Sequence, residues 1–128
     1  MSMTNLEILA ELERYASLWG GDIPVQYPNQ PNINPPGNWM RMDVLFGETI
    51  TTEVGRGPID TPTGLIQFQI FSKEGAGWYD AVRYADMIGY HMQHKRLAGT
   101  LFTRAYTAFK LDDANGQYRV GVRIPYRA

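Results

Sequence analysis

Leu111-Asp-Asp-Ala-Asn115-Gly116-Gln-Tyr-Arg-Val120 is the stretch that decides the fold. Asn-Gly between apolar residues is the strongest short signal for a two-residue hairpin turn, because both residues accept the positive φ that the turn needs. The stretch therefore predicts a hairpin of two strands, 100–111 and 117–127, which turns at Asn115-Gly116.

The turn also predicts the register of this hairpin. If Asn115 and Gly116 form the loop, Leu111 faces Val120 and Phe109 faces Val122, so apolar residues meet on one side of the pair. The other side then carries the facing pairs Asp112 and Arg119, Ala108 and Arg123, and Arg104 and Arg127. Two facing arginines repel each other, so a nearby anion would stabilise the last pair.

Two helices are predicted upstream of the hairpin. Thr4-x-x-Glu7 has the pattern of a capping box and begins a helix over 4–18, which Gly20-Gly21 ends. A second helix is predicted from Trp78 to about residue 95. Its expected buried stripe is Trp78, Val82, Ala85, Ile88 or Gly89, and Met92.

Three strands are predicted between the helices. Alternation of apolar and polar residues indicates a strand over 39–49, a second over 49–54 and a third over 65–72. A loop rich in Gly and Pro is expected at 55–64, and the five prolines of 24–37 indicate an extended connection. The order α-βββ-α-ββ predicts one α+β domain over 1–128, with an antiparallel or mixed sheet of about five strands and two helices on one face.

Composition excludes several classes of function. The chain has no cysteine and a net charge of −1, which argues against thiolate chemistry and against a dedicated nucleic-acid or membrane binder. We expect no secretory signal and no membrane association. The charge is unevenly spread, because residues 1–55 sum to −5 and the rest to +4. The split is either chance or the mark of a molecule that packs head-to-tail with its copies.

Three patterns could have indicated a ligand site. His91 and His94 lie on one helix face but lack further ligands at a diagnostic spacing. Asp112 begins a sequence like a calcium loop, but the glutamate that would close the loop is missing. Gly75-x-Gly77 lacks the third glycine of a nucleotide-binding turn. We therefore predict no catalytic residue, no metal and no cofactor.

The order of elements and scattered positions resemble a known protein family. They include Trp39-x-Arg41 after the Pro-rich stretch, Gly55-x-Gly57, Pro62-x-Gly64, and Ala81-x-x-x-Ala85-Asp86-x-Ile88 in the second helix. Together these features are similar to the tail terminator, or tail completion, proteins of long-tailed bacteriophages and prophages, which include the minor tail protein U. The likeness covers nearly the whole chain.

This resemblance implies structural work and no catalysis. Its members form a hexameric ring that caps the finished tail tube, ends polymerisation and offers a surface to the head connector. The expected partners are copies of this chain, the tail tube protein and the head–tail connector, with DNA in the ring lumen as a further candidate. The expected location is the host cytoplasm during assembly and then the head-proximal end of the tail. The alternatives are a head–tail connector or head-completion protein and, from another class, a small ligand-binding or catalytic α+β domain.

Interface candidates come from the residues themselves. The predicted loop at 55–64 should project and make contacts through Arg56, Ile59 and Asp60. The outer face of the closing hairpin offers a row of cations. These are Arg104, Arg119, Arg123 and Arg127. Carboxylates of the first helix, Glu7 and Glu11, could meet that row from an adjacent subunit, although a basic strand face solvated by water is the plainer interpretation.

Overall fold

The structure is a computed structural model that describes residues 3–28, 30–31, 37–55, 57–72, 78–114 and 117–128. At positions 54, 59, 113 and 114 it describes the backbone alone. In chain order the elements are α1 (Asn5–Ala16), β1 (Val25–Gln26), β2 (Trp39–Val54), β3 (Gly57–Phe71), α2 (Tyr79–Met92), β4 (Phe102–Thr103), β5 (Thr107–Ala114) and β6 (Gln117–Arg127).

The described strands form one mixed sheet. Its order is β1-β2-β3-β6, and both β4 and β5 pair with the far side of β6. Only the short pairing of β1 with β2 is parallel. The predicted α+β class is therefore confirmed, with β1 and β4 as additions that are too short to show an alternating pattern.

Both predicted helices are present, and α1 begins at the predicted cap. The Thr4 side chain accepts a hydrogen bond from the Glu7 backbone N–H, and the Glu7 carboxylate accepts one from the Thr4 N–H. These two bonds satisfy backbone donors that the first turn of a helix leaves unpaired. The chain leaves α1 after Ala16 and reaches a left-handed conformation at Gly20, as the glycine pair predicted.

One face of the sheet packs on the two helices and forms the core; we call it the inner face. Its buried side chains are Met40 and Met42 of β2, Ile66, Phe68 and Ile70 of β3, and Val120, Val122, Ile124 and Tyr126 of β6. Ile8, Leu12 and Ala16 of α1 complete it with Ala81, Tyr84, Ala85, Ile88 and Met92 of α2. The predicted stripe of α2 was wrong at Val82, which is exposed, because the helix turns Ala81 and Tyr84 toward the sheet instead.

The three strands predicted between the helices and the loop predicted at 55–64 need correction. Residues 39–54 form one strand, interrupted between Phe46 and Thr49 by a bulge, and residues 57–71 form its hairpin partner. The predicted loop at 55–64 is therefore wrong, since most of it is the first part of β3. Pro58 and Pro62 are tolerated because their backbone nitrogens point away from β2, where no hydrogen bond within the hairpin is lost.

The predicted register of the closing hairpin was also wrong. An irregularity between Leu111 and Ala114 shifts the pairing by one residue, so Leu111 faces Arg119 and Phe109 faces Gly121. A side chain at position 121 would come within 2.3 Å of the Phe109 ring, so glycine leaves the space that this ring fills. A one-residue shift moves every side chain to the opposite face. Phe109 and Leu111 therefore lie on the outer face, away from the helices.

The observed pairing of β4 and β5 with β6 also removes the facing arginines. Arg127 pairs with Phe102, Arg123 pairs with Thr107, and Arg104 follows β4, where its N–H donates to the Pro125 carbonyl at 2.9 Å. The predicted pairs of Arg104 with Arg127 and of Ala108 with Arg123 are wrong. Asp112 does meet Arg119, but through its backbone carbonyl, which accepts a hydrogen bond from Arg119 Nε at 2.6 Å.

Candidate interface surfaces

The hairpin of β2 and β3 extends beyond the rest of the sheet as a two-stranded arm. We define the arm as residues 49–54 with residues 57–62. The pairing of β3 with β6 begins at Thr63, after the arm. Six paired residues in each strand give a length of about 20 Å. The bulge at its root is fixed by Thr63, whose hydroxyl donates to the Glu48 carbonyl.

Large apolar side chains are exposed at the root of the arm. Leu45, Phe46 and Ile50 are each about half exposed, at 50%, 49% and 53%. Acidic side chains accompany them, since Glu48 and Glu53 are exposed and have no ion pair within the described chain. Large exposed apolar side chains with charge beside them are typical of a surface that another protein covers.

The sequence placed three interface candidates in this region. Asp60 lies on the arm, exposed, and accepts a hydrogen bond from the Thr51 hydroxyl at 2.8 Å. Ile59 lies in β3 opposite Thr52. Arg56 lies outside the described residues. Ile59 and Asp60 thus lie on a projecting element, but that element is a strand pair and not a loop.

Two of the four predicted arginines are held against the outer face. Arg119 donates to the Asp112 carbonyl and contacts the Gln69 side-chain oxygen at 3.5 Å. The Arg123 guanidinium stacks over the Phe109 ring at 4.2 Å. Cation–π contacts of this kind stabilise a partly exposed arginine by about 0.5–1 kcal/mol. Both side chains therefore have roles within the chain.

The other two lie together at the foot of the arm. Arg104 and Arg127 line a cleft of ≈ 430 Å³ with threonine hydroxyls of the arm. A neighbouring cleft of ≈ 440 Å³ shares Arg127 and Thr61 and adds Arg96. None of these three arginines has a carboxylate partner among the residues that the structure describes. No pattern in the sequence indicated Arg96, because it reaches this edge through its bridge with Phe102.

The two acidic candidates of α1 are already engaged. Glu7 closes the capping box, and the hydrogen bond from the Thr4 backbone holds its carboxyl pKa below the ordinary value. Glu11 forms an ion pair with Arg14, and that hydrogen bond lowers the Glu11 pKa. The structure does not bring either carboxylate to the arginines at the foot of the arm.

The exposed side of α2 was not predicted from the sequence. Tyr79 and Tyr90 are 82% and 65% exposed, and Val82 and Met87 lie on the same side. The sequence contained a signal for this side, since pairs of these residues recur at helical spacings of three, eight and eleven. At its C-terminal end the hydroxyl of Tyr106 donates to Asp86 at 2.8 Å, and burial together with this bond raises the pKa of Tyr106 to about 12.

His91 serves the packing of the two helices. The His91 ring stacks on Tyr15 at 4.3 Å, and its Nε2 lies 2.7 Å from the Tyr15 carbonyl. His94 adopts a left-handed conformation after α2, with φ of 53°. Within the described ranges, no three His, Asp or Glu side chains are grouped as a metal site would require. No described helix has the length and apolar character to cross a membrane.

Comparison with known proteins identifies a family. A model of the family described as phage tail terminator protein matches residues 7–126. A solved structure with 18% identity matches with a TM-score of 0.67 and covers 94% of this chain and 89% of its own, which shows a shared fold. No curated protein matches the sequence.

Proposed function

This chain belongs to the phage tail terminator family and is a structural component of a phage tail. From that premise we propose that it closes into a ring, caps the finished tail tube, ends its polymerisation and joins the tail to the head. Six subunits is the number that the family resemblance implies. The ring assembles in the host cytoplasm and stays at the head-proximal end of the tail.

The arm is the observation that carries the proposal. It projects from the sheet, and Leu45, Phe46 and Ile50 at its root are each about half exposed. Two-stranded ribbons are at best marginally stable alone, so an extended one is stabilised by pairing or packing with a partner. A surface of this kind suits assembly with other chains better than binding of a small ligand.

A cap also needs contacts that differ from those of a growing tube. Contacts between different surfaces of identical subunits close a ring when the rotation between subunits closes. A closed ring that binds the tube end on one side and presents no tube-like surface on the other stops further addition. The uneven charge of the chain, negative in residues 1–55 and positive afterwards, is consistent with contacts between unlike parts of identical subunits.

Growing tail tubes provide the direct test. Tube protein is polymerised with increasing amounts of this protein, and tube lengths are measured in negative-stain images while light scattering gives the mass of the free protein. We expect shorter tubes with a ring at one end. The matched variant lacks Thr51, Thr52, Ile59 and Asp60, which removes two facing pairs and preserves the register of the arm. It should fold and fail to cap.

Two results would contradict the proposal. One is a strict monomer that leaves tube lengths unchanged at every concentration. The other is a protein that binds the isolated head connector and ignores tubes, which would place it among head-completion proteins instead. Unaltered capping by the shortened variant would show that the arm is not the contact surface.

A further inference from the structure

The two long edges of the arm differ in their free backbone groups. The Pro62 carbonyl accepts from the Ala128 N–H at 2.9 Å on the β6 side, so its backbone points away from β2. Backbone direction alternates along a strand, so Asp60 and Pro58 point the same way. Two of these three residues are proline and donate no hydrogen bond. The β3 edge of the arm is therefore a poor template for another strand.

The β2 edge has no such protection. Ile50 and Thr52 face Thr61 and Ile59 and bond inward, so Thr49, Thr51 and Glu53 direct their N–H and C=O groups outward. The parallel strand β1 covers only Met40 and Arg41 of this edge. Along the arm the β2 edge thus offers a row of free donors and acceptors within the described chain.

The opposite margin of the sheet is formed by β4 and β5, and we call it the β4–β5 margin. It carries a second free edge. Ser72 donates to the Tyr118 carbonyl at 3.0 Å, which shows that even-numbered residues of β6 bond to β3. Odd-numbered residues of β6 therefore bond to β5, through the facing residues Thr107, Phe109 and Leu111. Ala108 and Lys110, which alternate with these residues, direct their backbone groups outward.

The two margins carry opposite charge. Residues 42–55, which contain the β2 edge, hold Asp43, Glu48 and Glu53 and neither lysine nor arginine. Residues 87–114, which contain the β4–β5 margin, hold Lys95, Arg96, Arg104 and Lys110 against Asp112 and Asp113, so their net charge is +2. Opposite charges on facing strands stabilise their pairing, and complementary margins accelerate encounter of the correct surfaces.

We propose that the β2 edge of the arm of one copy pairs with the β4–β5 margin of the next copy, so that the sheet continues from subunit to subunit. This inference rests on the proposed self-assembly and names the surfaces that perform it. The contact joins unlike surfaces, as ring closure requires. The prolines of β3 leave each arm a single edge for pairing, which prevents sheets from adding on both sides.

Cysteine pairs test this contact in a chain that has no cysteine of its own. Three double variants combine Ala108→Cys with Thr49→Cys, Thr51→Cys or Glu53→Cys and are oxidised mildly in the presence of tail tubes. We expect at least one of them to give a ladder of disulfide-linked multimers on non-reducing gels. The matched control combines Ala108→Cys with Asp60→Cys, which lies one strand farther away and should give no ladder, because a disulfide needs Cβ atoms about 3.5–4.5 Å apart.

The wild-type protein separates this inference from the proposed function. If wild type caps tubes and none of the three variants forms multimers, the strand pairing is wrong and the function stands. Products that stop at dimers, or an equal ladder from the control, would also overturn the pairing. If wild type neither assembles nor caps, the proposed function fails, and the inference fails with it.

Discussion

The same two strands bury their side chains in one half of their hairpin and expose them in the other half. In the body of the sheet, β2 and β3 bury Met40, Met42, Ile66, Phe68 and Ile70 beneath the helices. Beyond the bulge the strands stay paired, but the described side chains of 49–53 and of Pro58 and Asp60 are exposed. The body is therefore stabilised by burial, whereas the arm depends on backbone pairing and β-propensity.

This difference shows that strand pairing and core formation are separable in one element. Threonines dominate the arm, and β-branched residues suit a strand even where nothing packs on them. Substitutions should consequently lower the free energy of unfolding in the body and alter assembly in the arm. The expected loss of that free energy is largest in the buried core and smallest for the exposed charges of the arm.

Phe68→Ala should have the largest effect. Its side chain is fully buried on the inner face, and removal of a buried phenyl ring costs about 3–5 kcal/mol. Ile50→Ala, at the root of the arm, should cost less than about 1 kcal/mol. Urea unfolding followed by circular dichroism measures both. Equal losses of the free energy of unfolding would show that Ile50 of the arm contributes to the core.

Gly64→Ala should have the second-largest effect on the free energy of unfolding, because Gly64 lies where the body meets the arm. A Cβ there would lie 2.3 Å from the Tyr126 hydroxyl and 2.5 Å from the Leu45 carbonyl, so the strands must separate. We expect a loss of about 1–3 kcal/mol. Gly55→Ala is the matched control, since no atom lies within 4 Å of the position that its new methyl group would take. An unchanged free energy of unfolding for Gly64→Ala would mean that the strands at this junction can separate without loss of stability.

Proline substitutions distinguish the two sides of one strand. Ile50→Pro removes an N–H that bonds to β3 and should cost about 1–3 kcal/mol. Thr51→Pro removes an outward N–H and should cost less than about 1 kcal/mol, yet prevent assembly if the edge pairs with another chain. Thermal unfolding and tube capping are measured on both variants. Normal capping by Thr51→Pro would exclude pairing along this edge.

Charge reversal on the arm should leave stability nearly unchanged. Glu48→Lys with Glu53→Lys alters two exposed side chains and should shift the free energy of unfolding by less than about 0.5 kcal/mol. The same change should abolish assembly, and an equimolar mixture with Arg104→Glu and Lys110→Glu should restore it in mixed rings. Asp80→Lys on α2 serves as the control for charge alone. Native mass spectrometry detects the rings, and failure of the mixture to assemble would contradict the charge pairing.

Local patterns in the sequence determined the elements of this protein. The Thr4 and Glu7 cap, the glycine pair after α1 and the alternation around Met40 and Met42 predicted α1 and the first part of β2, because each depends on neighbours a few residues away. The order of helices and strands was sufficient for the α+β class. The family resemblance rested on the same order, and the match over residues 7–126 confirms it.

Tertiary structure alone decided the register and the surfaces. Phe109 lies on the outer face because an irregularity after Leu111 shifts the closing hairpin and Gly121 gives its ring space. Residues 57–62 form a strand because 49–54 pair with them, although their prolines and glycine indicated a loop. Arg96 joins Arg104 and Arg127 only where β4 meets β6. Such features depend on contacts between residues distant in sequence, which local periodicity does not encode.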